Sequence, residues 1–289
     1  MPALKVLLPI LGLTLSSTAF AAWPDDVTIS GLDSWNGQVV QNSQTMRDSY
    51  DRVVKQLAVC ISNKPMAPAR TTGVNGFDFS LTNTIGFIDA DSDPYNPSPW
   101  QRVHEDGDPS PTLWIPGISV RKGLPLSFEA GVNMGYLAFS RQAVFGGYGR
   151  WAPLEGYTRL PDVVMQLGYA GYMGNDELAL SATDGSISIG YSIPIGQLTG
   201  IHSGTVSPYG GIGYVRINAT PQMTDAEQES LGIRAVSGSK KDSAYLEGFS
   251  PFTFHGGMRM LSGDFQVLVN LTVAPSAVIT LNSGIGFVF

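Results

Sequence analysis

Three histidines, one cysteine and a thin scatter of charged side chains are the reactive groups that this chain of 289 residues offers. A hydrolase needs a serine, a histidine and an acid, or two carboxylates, at positions that a fold can bring together. His104 stands in an acidic stretch, His202 precedes Ser203, and His255 lies in an alternating segment. No Ser or Asp stands at a motif spacing from any of them. No GxxxxGK[ST], HExxH or CxxC occurs. Asp89-Ala90-Asp91-Ser92-Asp93 opens like a calcium loop. Pro94 then fills the place that needs glycine, and Trp100 the place of the closing glutamate. With Glu105, Asp106 and Asp108 the stretch reads as a solvated acidic loop, with weak calcium binding as the alternative. Cys60 is alone, so no intramolecular disulfide is open to the chain. It reads as a small buried hydrophobe in a helix. The expectation is a protein with no enzymatic role, no cofactor and no metal.

The polar residues that carry a pattern stand at every second position. Asp78, Ser80, Thr82 and Thr84 alternate with Phe77, Phe79, Leu81 and Ile85. That is the two-residue period of a strand, whose successive side chains face opposite ways. The period recurs over 126–140, 162–172, 252–260, 265–273 and from Ile279 to Phe289, and less cleanly over 112–122, 143–152, 177–193 and 205–217. The total is about ten strands, many longer than is usual in soluble sheets. A length of about 9–11 residues suits a tilted strand crossing a bilayer.

Upstream the pattern differs. Lys5, the apolar run from Val6 to Leu15, and Ala19-Phe20-Ala21 read as a secretory signal over 1–21, cleaved after Ala21. Residues 22–74 form an N-terminal extension. Within it, 43–62 carries Met46, Tyr50, Val53, Val54, Leu57 and Ile61 at helical steps, with Ser43 as N-cap. Pro65, Pro68 and Gly73 mark 63–74 as a linker into residues 75–289.

Only 14% of residues are charged, the formal net charge is −7, and mean hydropathy is +0.06. Disorder needs low hydrophobicity and high charge. Net acidity without a basic run argues against nucleic acid. Beyond residue 22 no apolar run is long enough for a membrane helix. Glycine makes up 34 of the residues, roughly 12% against a usual 7%.

Alternation fits a soluble sandwich and a membrane barrel alike. Three features choose the barrel. Long connections, 89–111 and 218–247, follow odd-numbered strands, and shorter ones follow even-numbered strands. Tyr136, Tyr148, Trp151, Tyr169, Tyr172, Tyr191, Tyr209 and Tyr214 lie in or near strand ends, where interfacial girdles sit. The chain stops in mid-strand on Gly284-Ile285-Gly286-Phe287-Val288-Phe289. This ending resembles that of Gram-negative outer-membrane β-barrel proteins. The resemblance implies that Phe287 and Phe289 serve the barrel-assembly machinery, and that the chain is an integral protein of the cell outer membrane, in contact with its lipid. The expected fold is all-β: a single-chain antiparallel transmembrane barrel of about ten strands (8–12), with a helical N-terminal extension or plug.

In such a barrel the polar parity faces the lumen. The lining candidates are Asp78, Arg121, Glu129, Asn133, Gln166, Arg216, His255, Arg259, Asn270 and Asn282. They could line a path for small solutes or merely brace the wall. The helix has two readings as well. It could plug the lumen, setting Arg47, Asp48, Asp51, Arg52 and Lys55 against the wall, or lie below the barrel in the periplasm. The functional expectation is a narrow, porin-like channel with an N-terminal plug or gate. The alternatives are a non-conducting structural or surface-interaction barrel and, disfavoured for want of a histidine motif, an outer-membrane lipid hydrolase. Oligomeric state is open.

Overall fold

The computed structural model describes residues 26–35, 38–39, 43–90, 97–104, 109–157, 160–197, 203–237 and 250–289. The expected signal segment, 1–21, lies outside them, as do His202 and the acids of 91–96 and 105–108.

Ten strands form the wall. They are β1 (Phe77–Phe87), β2 (Thr112–Leu124), β3 (Phe128–Tyr136), β4 (Ala143–Leu154), β5 (Asp162–Met173), β6 (Leu178–Gly190), β7 (Ser203–Pro221), β8 (Phe252–Ser262), β9 (Phe265–Val273) and β10 (Ile279–Val288). Each pairs antiparallel with the next, and β10 pairs with β1, setting Phe287 opposite Phe79 and Asn282 opposite Thr84. The sheet is therefore a closed ten-stranded barrel. Closure satisfies every strand edge, as a backbone in hydrocarbon requires. No described helix is long and apolar enough to cross a membrane.

The parity works as the alternation demands. Leu81, Met134, Leu167, Ile187, Ile212, Leu271 and Ile285 are exposed on the outer face, while Asp78, Glu129, Gln266, Asn270 and Asn282 are buried inside. Outward aromatics gather at both rims. Phe128 stacks on Trp151, and Phe265, Phe287 and Phe289 cluster, at one end. Phe87, Trp114, Tyr136 and Phe252 stand at the other. Two such girdles around an apolar band are the signature of a membrane barrel. Three tyrosines expected in the girdles belong elsewhere: Tyr148, Tyr172 and Tyr209 share the inward parity, and Tyr172 and Tyr209 are 6% exposed. Glycine opposite makes room for two of them, since a Cβ at Gly131 would meet the Tyr148 ring and one at Gly257 the Tyr209 hydroxyl.

The rims differ. Among the described residues the long-loop rim carries 88–90, 97–104, 109–111, 137–142, 174–177, 222–237, 250–251 and 274–278; the short-turn rim carries 125–127, 155–157, 160–161, 191–197 and 263–264, where Ile193–Gln197 forms a short strand paired to β7. Helices α1 (Ser43–Ile61), α2 (Pro99–Arg102) and α3 (Asp225–Leu231) all gather at the long-loop rim. α1 buries Met46, Tyr50, Val53, Val54, Leu57 and Ile61, its apolar stripe. It stops at Ile61 because Pro65 disfavours helical geometry just before it. The Ser62 hydroxyl donates to the Val59 carbonyl at 2.9 Å, and the Lys64 ammonium donates to the same carbonyl.

Candidate functional site

The lumen has two tiers, and each suits what fills it. Near the long-loop rim β2, β4, β6 and β7 point Leu113, Val144, Leu178, Leu180, Val215 and Ile217 inward, and β5 adds Tyr172. The apolar stripe of α1 packs among them in one cluster. The polar residues of α1 turn away. Arg47 donates to the Gly232 carbonyl at 2.8 Å, and Arg52 pairs with Asp89 at 2.7 Å. Asp48 is exposed, and Asp51 and Lys55 are half-buried. The expectation that these five residues face the wall is thus corrected. The wall there is apolar, and a charge set against it would lose its hydration with nothing in return. Nor does α1 lie beneath the short turns.

From Ser62 the chain runs extended down the bore to β1. The Asn63 backbone N–H and Nδ2 both donate to Asp184, at 3.1 and 2.8 Å, while Asn63 Oδ1 accepts from Asn133 at 3.1 Å. Lower down, Asn270 donates to the Pro65 carbonyl at 3.4 Å and Arg150 to the Pro68 carbonyl at 2.6 Å. Thr71 N–H donates to Glu155 and Thr72 N–H to Glu129, both at 2.9 Å. Gly123 N–H, beside the short-turn rim, donates to the Gly76 carbonyl at 2.9 Å. A Cβ at Gly146 or Gly168 would lie 2.5 Å from the Asn63 amide, so those two glycines make the groove in which Asn63 sits.

A charged row girdles this lower tier. Gln266 donates to Asp78, Asp78 pairs with Arg121, Arg121 reaches Glu129 at 3.4 Å, and Glu129 holds Arg150 at 2.7 Å. Register puts Asp78 opposite Arg121 and Glu129 opposite Arg150, so the row crosses β1 to β4 without a gap. All four charged groups are buried. Such charges are tolerated inside only when paired and hydrogen-bonded. Arg259 is also inward and buried, with no described partner for its Nε. Asn282 donates to Asn270 Oδ1 at 3.2 Å, and Asn270 to the Tyr209 hydroxyl at 3.3 Å. Between segment and wall remains a void of about 80 Å³, touched by Asn63, Lys64, Ser119, Arg121, Asn133 and Gln166. That is room for a few waters.

Of the lining candidates, Asp78, Arg121, Glu129, Asn133, Gln166, His255, Arg259, Asn270 and Asn282 lie on the lumen side. Arg216 does not. Its neighbours Val215 (3% exposed) and Ile217 (0%) point inward, and it shares the outward parity of Ile212 and Tyr214. The upper tier demands apolar groups at 215 and 217, which leaves the charge outside. The row's anchors on the segment, Thr72 and Pro68, and the Asp184–Asn63 contact carry no signal in the sequence, because backbone donors and acceptors have no pattern.

Ser188 Oγ and His255 Nε2 share a hydrogen bond of 2.7 Å inside the wall. His255 Nδ1 has no described partner, so the carboxylate that orients the histidine of a triad is missing among the described residues. The same residues include no group of three or more metal-ligating side chains. Cys60 is buried against Gly86, and that burial pushes its thiol pKa up to about 11.

No protein-family model matches the chain, and no curated protein matches it in sequence. Solved structures do match. Ail, the attachment invasion locus protein of Yersinia pestis, is 9% identical over 75% of this chain and 99% of its own, with a TM-score of 0.27. Omp33 of Acinetobacter baumannii is 10% identical over 74% and 99%, with a TM-score of 0.27. OprB of Pseudomonas putida is 9% identical over 62% and 59%, with a TM-score of 0.18. At these scores the assignment rests on the wall itself. It is closed, apolar outside between two aromatic girdles and polar in the lower tier of its lumen, which is the build of a transmembrane β-barrel.

Proposed function

We propose that the protein is a narrow outer-membrane channel for small solutes, held shut by its own N-terminal segment. One observation carries the reading, the fit of thread to bore. Eight strands make a barrel that side chains alone can fill. Ten enclose more, and residues 62–76 run through that space, with a void of about 80 Å³ beside Asn63 and Lys64. The wall behind the segment is charged and hydrogen-bonding. Cleared of the segment it would hold water, and the Asp78–Arg121–Glu129–Arg150 row would select solutes by charge. The protein is not an enzyme in this reading. Its partners are membrane lipid, the solute and the barrel-assembly machinery.

Planar-bilayer conductance tests this. The full chain is expected to be silent. A chain lacking residues 22–74 is expected to conduct, once a heat-dependent shift in electrophoretic mobility has verified that its barrel is folded. Equal conductance from both would refute the plug. Silence from both would favour a second reading, a non-conducting barrel presenting its long loops to a surface partner. The folded cover that α1, α2 and α3 make over the long-loop rim supports that second reading.

A further inference from the structure

The segment that fills the lumen joins two bodies at opposite rims. The described residues of 26–61 gather at the long-loop rim, with the apolar stripe of α1 set into its mouth. Asp26 pairs with Arg141 at 2.8 Å, Thr28 N–H donates to the Val103 carbonyl, and Asn175 donates to the Val27 carbonyl at 2.7 Å. Ser30 Oγ donates to Glu177 at 2.6 Å, and Gln56 donates to the Ala277 carbonyl at 3.1 Å. Every partner named belongs to a long-loop connection. Phe77, where β1 begins, is at the short-turn rim and pairs there with Phe289. In outer-membrane barrels the long loops face the cell exterior and the short turns the periplasm.

We propose that residues 26–61 are displayed on the cell exterior, as a folded stopper joined through the lumen to β1. The arrangement locks the bore. Because residue 76 is tied to β1 at the short-turn rim, residues 62–76 can clear the lumen only by sliding toward the periplasm. That would draw the stopper in after them. A helix with its side chains is about 10–12 Å across, and the extended segment alone nearly fills the bore. With the barrel closed, the stopper therefore has to unfold, or the chain has to be cut, before the lumen empties. The inference rests on the outer-membrane reading, and it does not depend on whether the emptied barrel conducts.

Single cysteines in the full chain, in a Cys60→Ala background, test it with a membrane-impermeant maleimide on intact cells. Asp48→Cys marks the exposed face of α1. Ser276→Cys marks the turn between β9 and β10 on the long-loop rim, and Asp264→Cys the turn between β8 and β9 on the other. All three positions are exposed. Asp48→Cys and Ser276→Cys are expected to label on intact cells, and Asp264→Cys only after the outer membrane is permeabilised. Labelling of Asp48→Cys only on permeabilised cells, together with Asp264→Cys, would overturn the threading. Labelling of Asp264→Cys alone on intact cells would invert the barrel and overturn the exterior display. Labelling of all three or of none on intact cells would overturn it too, since no side of the membrane would then distinguish the rims. Barrel folding is checked in each variant by its heat-dependent mobility shift. Conductance plays no part in the readout, so this proposal and the channel reading fail separately.

Discussion

Replacing Glu129 with glutamine should loosen the lumenal segment before it loosens the wall. Glu129 is 1% exposed and accepts three hydrogen bonds: from Arg150 at 2.7 Å, from Arg121 at 3.4 Å and from Thr72 N–H at 2.9 Å. The Glu129→Gln side chain would keep the shape, lose the charge and offer one oxygen where two accept now. Hydrogen bonds to charged groups contribute about 1.5–3 kcal/mol against about 0.5–1.5 for neutral ones, so the loss is about 1 kcal/mol for each of three bonds. Stripping one partner from a buried ion pair costs about 3–5 kcal/mol, which gives the same order. Two of the affected groups hold the segment directly: Thr72 donates to Glu129, and Arg150 also grips the Pro68 carbonyl. At about 1.4 kcal/mol per decade, a loss of about 3 kcal/mol speeds local opening on the order of 100-fold. Amide hydrogen exchange over residues 62–76 in detergent-solubilised protein reads this. Faster exchange confined to β3 and β4 would refute the role in holding the segment. Unchanged exchange throughout would refute the network itself.

Gly168→Ala should cost about 1–3 kcal/mol, because its Cβ would lie 2.5 Å from the Asn63 amide and 2.8 Å from Asp184 in a packed groove; a lowered midpoint for the heat-dependent mobility shift checks it, and an unchanged midpoint counts against the groove. Arg216→Leu should leave that midpoint unchanged or raised, since an outward charge near the rim contributes about 0–1 kcal/mol against stability; a large drop would return Arg216 to the lumen. Asp51 lies on α1, outside the wall, and burial pushes its pKa up to about 6, with Asp48 adding to the rise and Lys55 and Arg47 opposing it. Its protonated form is thus favoured by the fold, so its contribution to holding the cover weakens as pH rises from about 4 to 6. Asp51→Asn should flatten that dependence and slow exchange in α1 at pH 7; equal slopes in both proteins would refute it.

Much of the wall is legible because one chemical contrast repeats along it. Where the lumen is polar, as in β1, β8 and β9, alternation is clean and the inward residues can be named from the sequence. Where the lumen is apolar, both faces of β6 and β7 carry hydrophobic groups, and the period fades. Leu178, Leu180 and Ala182 face in while Ile187 and Ile189 face out, and nothing in the letters marks the change. Arg216 reads as lumenal for that reason, as a charge in a strand whose inner side is taken to be polar. The helix is visible from its apolar stripe, but its seat is not. The stripe needs an apolar mouth, and that mouth is assembled from five strands. Residues 63–74 read as a linker because prolines and glycine mark only the absence of regular structure. That the linker is the thread through the barrel follows from backbone groups meeting Asp184, Arg150 and Glu129.

The seam between β1 and β10 sets an order of events for assembly. It pairs Phe79 with Phe287, from opposite ends of the barrel sequence, and such non-local contacts are the slow ones to form. Residues 62–76 are covalently continuous with β1, one lip of that seam, so they lie at the gap while it is still open. The ring then shuts around a strand it already holds, and the product is a threaded loop, retained by topology as well as by contact energy. Escape of the thread from such a loop is governed by how fast the seam or the stopper comes undone. Its lifetime is therefore a kinetic property, which weak individual contacts along the bore do not shorten.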